Sequence, residues 1–266
     1  MYETSYHRPK NLAEAEALFA AGSDARYLAG GQTLIPTMKQ RLAAPSDLID
    51  LAKLPELKGI AATGDTLTIG AASTHAEVAR SETVRGAIPA LADLAGLVGD
   101  PAVRHKGTLG GSLANNDPAA DYPAAVLALG ATIETNRRKI AAADFFKGLF
   151  ATALEEGEII VRVAFPVPAR AAYEKFRNPA SRYAMAGAFV ARMKDGSIRV
   201  AITGAGSNGV FRSAEMERAL AANFTEAALE PVDLDPAGML SDIHGSAAYR
   251  ANLAKVMAKR AVKALA

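Results

Sequence analysis

Two glycine pairs, Gly30-Gly31 and Gly110-Gly111, constrain this chain more than any other feature. The first follows directly on a short predicted strand, Arg26 to Ala29, and continues as Gln32-Thr33-Leu34. The second lies within Thr108-Leu109-Gly110-Gly111-Ser112-Leu113-Ala114, inside a stretch, Gly99 to Asn116, that reads as irregular. Paired glycines let the backbone take positive φ and let a ligand approach where a Cβ would otherwise stand. Successive amide N–H groups in such turns form anion-binding nests, and the neighbouring Thr33, Thr108 and Ser112 hydroxyls add donors. Two such loops facing each other suit the two phosphates of a dinucleotide. Taken alone, each pair is more often a plain turn.

The rest of the chain alternates helix and strand. Asn11 starts a helix over Leu12 to Ala21 that Gly22 ends, another helix follows Pro36, and Asp47 to Leu51 is a strand. Thr66 to Ala72 is a strand, Thr74-His75-Ala76-Glu77 is a capping box with a helix from His75, and Ile88 to Val98 is helical. Asp117 reads as an N-cap, with Pro118 at the first position of a helix to about Leu129. Ala131 to Glu134 and Ile159 to Phe165 are strands, and Pro166 and Pro168 mark a boundary. Ala186 to Met193 and Ser197 to Thr203 form a hairpin across Lys194-Asp195-Gly196. Helices over Phe211 to Ala221 and Ala247 to Leu265 close the chain. The pattern predicts a mixed α+β (α/β) protein in three parts: residues 1–54, 55–168 and 169–266.

Composition excludes several classes. The 266 residues contain no cysteine, which rules out disulfides, thiolate zinc sites and a Cys-ligated iron–sulfur cluster within this chain. The four histidines, His7, His75, His105 and His244, have no metal-ligand spacing and read as surface or hydrogen-bonded residues. The net charge is only +2, with no concentrated basic face of the kind a nucleic-acid binder shows. Arg137-Arg138-Lys139 reads as a solvated hairpin turn. No apolar run reaches membrane-spanning length, and no signal peptide opens the chain; a cytoplasmic protein is expected. No G-x-S-x-G elbow is present, and Asp117 with Asp121 reads as a cap and a polar contact rather than a catalytic pair. No catalytic residue is assigned.

One competing motif remains. Gly204-Ala205-Gly206-Ser207-Asn208-Gly209 matches G-x-G-x-x-G between a strand and a helix. A dinucleotide-binding βαβ unit needs a second apolar strand after that helix. Asn223 to Leu240 does not supply one, and the preceding strand belongs to an antiparallel hairpin.

The run from Thr108 through Asn115-Asn116-Asp117-Pro118-Ala119-Ala120-Asp121-Tyr122-Pro123-Ala124 resembles the FAD-binding medium subunit of the carbon monoxide dehydrogenase and xanthine dehydrogenase family. Ala29 to Thr33 is similar to that family's first pyrophosphate loop. Arg212 to Leu220 and Ala247 to Ala261 are similar to its C-terminal part. The resemblance implies a two-subdomain FAD-binding fold of the molybdopterin dehydrogenase type followed by a C-terminal α+β domain. It implies that Ala29, Gly30, Gly31, Gln32, Thr33, Leu34, Thr108, Leu109, Gly110, Gly111 and Ser112 surround the diphosphate. By the same likeness Asp121 lies at the ribose or its neighbourhood, and Ile160, Lys175 and Tyr183 lie by the isoalloxazine ring. It further implies a hetero-oligomer with a [2Fe-2S] small subunit and a molybdopterin large subunit, in which this chain passes electrons from the clusters to an external acceptor. The missing cysteines agree with clusters on a partner. Ser112 replaces the family's common asparagine and Gln32 its frequent histidine, both keeping hydrogen-bonding capacity. The segment at Ala184-Met185 lacks the acidic residues of the xanthine dehydrogenase branch, which leaves the acceptor open. A stand-alone FAD-dependent oxidoreductase, a non-enzymatic FAD-binding module and an NAD enzyme built on Gly204 to Gly209 are the alternatives.

Overall fold

The computed structural model describes residues 1–265. The first segment contains β1 (Ser5–His7), α1 (Leu12–Ala21), β2 (Ala25–Leu28), α2 (Leu34–Lys39) and β3 (Asp47–Asp50). Asn11 caps α1 by accepting the Glu14 N–H at 2.8 Å. The three strands form a parallel sheet, β1-β3-β2. Parallel pairing forces the chain to cross over between strands, and α1 and α2 are those crossovers. As a result the carboxyl end of β2 opens directly into Gly30-Gly31.

The middle segment contains β4 (Ile60–Thr63), β5 (Thr66–Gly70), α3 (His75–Arg80), α4 (Glu82–Ala87), α5 (Pro89–Gly96), α6 (Pro101–Arg104), α7 (Leu109–Asn115), α8 (Tyr122–Leu129), β6 (Thr132–Thr135), β7 (Lys139–Ala141), α9 (Ala142–Phe145), β8 (Phe146–Gly148), β9 (Ala151–Thr152) and β10 (Ile160–Pro166). Its main sheet is antiparallel, in the order β4-β5-β10-β6-β7. The capping box at Thr74 is formed as read, with both reciprocal hydrogen bonds present.

Two expectations fail in this segment. Gly99 to Asn116 is not irregular: it holds α6 and α7, and Gly110-Gly111 sit in the first turn of α7, capped by Thr108. Asp117 is not a helix cap. Its Oδ1 accepts the Ala119 N–H at 2.8 Å in a separate turn, and α8 starts at Tyr122. Glycine and asparagine masked the short helix because their intrinsic helix propensity is low, and the fold overrides it by burying Leu109 and Leu113.

Asn116 ends α7 in the left-handed region, at φ 44°. Its Nδ2 donates to the Gly148 and Ala151 carbonyls at 2.7 and 2.8 Å, and its carbonyl accepts the Phe150 N–H. The β8–β9 hairpin is thereby fastened to the helix that carries the second glycine pair. Replacing Asn116 by alanine removes two bonds to protein carbonyls and places a Cβ residue without side-chain compensation in that region. The expected loss is about 2–4 kcal/mol of folding stability, read by urea denaturation.

The last segment contains β11 (Arg170–Arg177), β12 (Ala184–Arg192), β13 (Ile198–Thr203), β14 (Phe211–Arg212), α10 (Ala214–Ala222) and α11 (Ala247–Ala264). The first four form an antiparallel sheet in sequence order. Phe211-Arg212 pairs as a strand with β13, so the helix expected from Phe211 begins instead at Ala214. Gly204 to Gly209 therefore links two antiparallel neighbours, which excludes a Rossmann crossover at that motif. β12 is buried on both faces. Ala188 and Val190 pack towards α10 and α11, while Phe189 and Ala191 join the core of the middle segment. That explains its unbroken apolar run, since a strand covered on both sides does not alternate. Among the described residues no helix is long and apolar enough to cross a membrane.

Candidate functional site

A cavity of about 680 Å³ lies between the first and middle segments, within the usual range for a bound ligand or cofactor. Leu28 and Leu51 line it from one side, Ala71, Ala72, Ile159 and Ile160 from the other. The two glycine loops meet across it. A Cβ on Gly30 would collide with the Lys106 carbonyl and stand 2.6 Å from the Gly107 Cα, and one on Gly111 would lie 3.8 Å from the Ala29 Cβ. Only glycine permits this approach at position 30, while Gly31 has φ +67°, where a side chain is strained.

The loops are chemically unequal. Among the described residues, no internal acceptor takes the amide N–H of Gly30, Gly31, Gln32, Thr33 or Leu34. Five successive donors are thus left to face a ligand: Gly30, Gly31 and Leu34 are half-buried, where an unpaired amide is uncommon, while Gln32 and Thr33 are exposed. In the second loop the donors are mostly spent. Leu109 donates to the Ser73 carbonyl, Gly110 to that of Ala71 at 2.8 Å, and Gly111 to the Thr108 hydroxyl at 3.1 Å. Gly110 serves close packing, because its Cβ would lie 2.6 Å from that of Ala71. The symmetric picture of two open nests therefore gives way to one open nest facing a tightly packed helical turn.

The structure brings Ala29, Gly30, Gly31, Gln32, Thr33, Leu34, Thr108, Gly110, Gly111, Ser112, Asp121, Ile160 and Tyr183 to the cavity wall. It keeps two residues away from it. Leu109 is fully buried in the core. Lys175, with its side chain 1% exposed, is sealed behind Asp121, its Nζ 2.9 and 3.0 Å from the two carboxylate oxygens. Tyr173 completes that cluster, its hydroxyl donating to Asp121 Oδ1 at 2.5 Å. Burial pushes the Asp121 carboxyl up, opposed by the Lys175 charge and the Tyr173 hydrogen bond.

Tyr183 stands half-exposed at the mouth, next to Ser181 and Arg182, which also line the cavity. Arg182 has φ +63°, and its N–H donates to the Asn178 carbonyl. Burial and the carboxylates of Asp117 and Asp121 raise the Tyr183 hydroxyl pKa. Ile160 is placed by a register shift between Ile160 and Arg162 in β10. Just before it, Glu158 is buried and saturated: Thr135 Oγ1 at 2.7 Å, Arg138 at 3.0 Å twice, and the Glu155 N–H at 2.8 Å. Arg138 is thus not merely a solvated turn residue.

These donors hold the Glu158 pKa down to about 2 against the opposing effect of burial. A carboxylate depressed in the folded state stabilises the protein above its unfolded pKa, near 4.5, and that contribution fades as pH falls towards 2. E158Q is expected to be less stable than the parent at pH 7, with the gap closing across that window in acid-denaturation curves.

Several wall residues carried no sequence signal. Val98, Gly99 and Val103 look like ordinary helix ends, and Ser181 and Arg182 like loop. Gly107 was findable, as the small residue next to Thr108. His75 departs from the expectation of a surface or hydrogen-bonded residue. It is buried on the wall, its Nδ1 has no partner among the described residues, and burial followed by Arg104 lowers its pKa to about 4. The ring is therefore neutral at pH 7.

A cleft with an open amide nest, apolar walls and an aromatic at the mouth defines a site for an extended, phosphate-bearing cofactor. Residues 2–168 match the family described as the FAD binding domain in molybdopterin dehydrogenase, and the chain belongs to that family. It is an FAD-binding medium subunit of the molybdenum hydroxylase type and part of an oxidoreductase. The medium chain of carbon monoxide dehydrogenase from Hydrogenophaga pseudoflava is 38% identical over 97% of this chain and 96% of its own. The nicotine 6-hydroxylase medium subunit of Paenarthrobacter nicotinovorans is 33% identical over 97% and 95%. Among solved structures, reconstituted CO dehydrogenase from Oligotropha carboxidovorans superimposes with a TM-score of 0.90 at 37% identity, covering 98% of this chain and 96% of that one.

Proposed function

We propose that this chain holds FAD with its diphosphate on the amides of residues 30–34, and relays electrons from [2Fe-2S] clusters of a partner polypeptide to an external acceptor. The five unpartnered N–H groups carry the reading, because a diphosphate supplies the acceptors they lack. Gln32, Thr33, Thr108 and Ser112 add side-chain donors on either side. Tyr183 and Ile160 are suited to the faces of a flat ring, and Asp121 to a hydroxyl or ring N–H nearby. Lys175 acts from behind, through Asp121. Leu109 supports the second loop from the core. Bound flavin accepts electrons singly and releases them in pairs, which is what a relay from clusters requires.

The absence of cysteine agrees with clusters carried by another chain. A molybdopterin-bearing large subunit completes the proposed complex, in the cytoplasm. Relatives of similar identity are named for carbon monoxide, nicotine and glyceraldehyde, which supports a substrate site outside this polypeptide.

The test is the optical spectrum and metal content of the natively purified complex. A flavin band together with iron, molybdenum and two further polypeptides is expected. Flavin without metals or partners would favour a stand-alone oxidoreductase, and a colourless protein would remove the cofactor reading.

A further inference from the structure

We propose that Tyr173 is a positioning residue for the bound flavin, acting through Asp121 from the C-terminal sheet. The inference rests on the FAD reading above. Asp121 is the one member of the Asp121–Lys175–Tyr173 cluster that lines the cavity. Its Oδ1 accepts both the Tyr173 hydroxyl at 2.5 Å and Lys175 Nζ at 2.9 Å, whereas Oδ2 accepts only Lys175, at 3.0 Å. A carboxylate has about four acceptor positions, so Oδ2 keeps capacity for a ligand donor. Tyr173 fixes which oxygen is left.

The carboxylate is 4% exposed and cannot be reoriented by water. Its geometry is set by two donors, both on β11, a strand outside the segment that carries Asp121. The same sheet grips the preceding turn. Thr203 Oγ1 donates to the Ala120 carbonyl at 2.6 Å and lies 3.3 Å from the Pro118 carbonyl, which accepts the Gly204 N–H at 2.9 Å. Thr203 is itself fully buried. Residues 118–121 are thus braced from behind at side chain and backbone, and the brace comes entirely from β11 and the end of β13.

The cluster has a second consequence. Asp121 and Lys175 cancel in net charge, and the tyrosine hydroxyl adds a dipole whose positive end points at the carboxylate. In a water-poor site such a dipole acts at close to full strength. Removing it makes the surroundings of the cavity more negative and disfavours the reduced, anionic form of a flavin held beside Asp121.

The experiment uses the full chain titrated with FAD. Y173F keeps the ring and removes only the hydroxyl. The expected result is an FAD dissociation constant raised about tenfold, consistent with loss of one hydrogen bond to a charged group, together with a lower flavin midpoint potential and a displaced visible absorption band. T203V, which removes the Thr203 hydroxyl from the brace but leaves the Gly204 N–H and Asp121 in place, is expected to weaken FAD in the same direction and provides the reading if Y173F does not fold. A variant with a lowered melting temperature but unchanged affinity, band and potential would show a purely structural tyrosine and overturn the inference. A parent protein that takes up no FAD overturns the flavin reading and this inference together; a parent that binds FAD beside an identical Y173F overturns this inference alone.

Discussion

Replacing Gly111 by leucine is expected to abolish FAD retention at the cost of the Thr108 cap on α7, about 1 kcal/mol of folding stability. Gly111 lies in the first turn of α7 with ordinary helical backbone, so a leucine there meets no conformational penalty. The Cβ would start 3.0 Å from the Thr108 Oγ1 and 3.8 Å from the Ala29 Cβ, in the gap between the two loops. Four added carbons fill the space the diphosphate needs and displace the Thr108 hydroxyl. A loss of affinity of roughly hundredfold or more is expected, at least about 2.7 kcal/mol. Fluorescence titration with FAD measures it, and circular dichroism checks the fold. G111A, which adds a single carbon, is expected to be intermediate. Unchanged affinity in the leucine variant would mean that the ligand does not pass between the loops.

The second large effect concerns stability. D121A leaves the Lys175 ammonium buried, 1% exposed, with no counter-charge. Breaking a buried pair on one side typically costs about 3–5 kcal/mol, because the surviving charge is neither solvated nor compensated. The Tyr173 hydroxyl loses its acceptor at the same time. Urea denaturation of D121A is expected to show a loss of that size. The double variant D121A/K175M removes both charges and is expected to regain much of it, since apolar replacement of a whole buried pair is often close to neutral. A single variant within about 1 kcal/mol of the parent would show that the pair is hydrated rather than sealed.

The sequence exposed those parts of the site whose chemistry is local. Gly30-Gly31 follows a strand and needs positive φ and close approach, and both demands are visible in residue type. The capping box at Thr74 and the hairpin at Lys194-Asp195-Gly196 are local in the same sense, and the structure has both. What failed was decided by tertiary packing. Short α7 has poor intrinsic propensity and exists because Leu109 and Leu113 are buried and Thr108 caps it. Asp117 carries a capping signature, yet the residues after it form a turn held by Thr203 and Gly204 from a strand more than eighty positions away. The strand Arg170–Arg177 is not legible in the sequence because its mixed polar pattern hides that Tyr173 and Lys175 point inward to Asp121. His75 and Val98 reach the cavity only through helix packing, which no motif encodes.

The inequality of the two loops was equally out of reach. Both read as nests, because both show paired glycines beside hydroxyls. Only hydrogen-bond accounting separates them: the Ala71 and Ser73 carbonyls occupy amides of the second, and among the described residues nothing internal occupies those of the first.

A crystal structure of the chain loaded with FAD decides the matter most directly. Phosphate oxygens within hydrogen-bond distance of the amides of residues 30–34, with Gly111 at the opposite wall, are the anticipated arrangement. A cofactor seated elsewhere, with those five N–H groups still facing water, would contradict it.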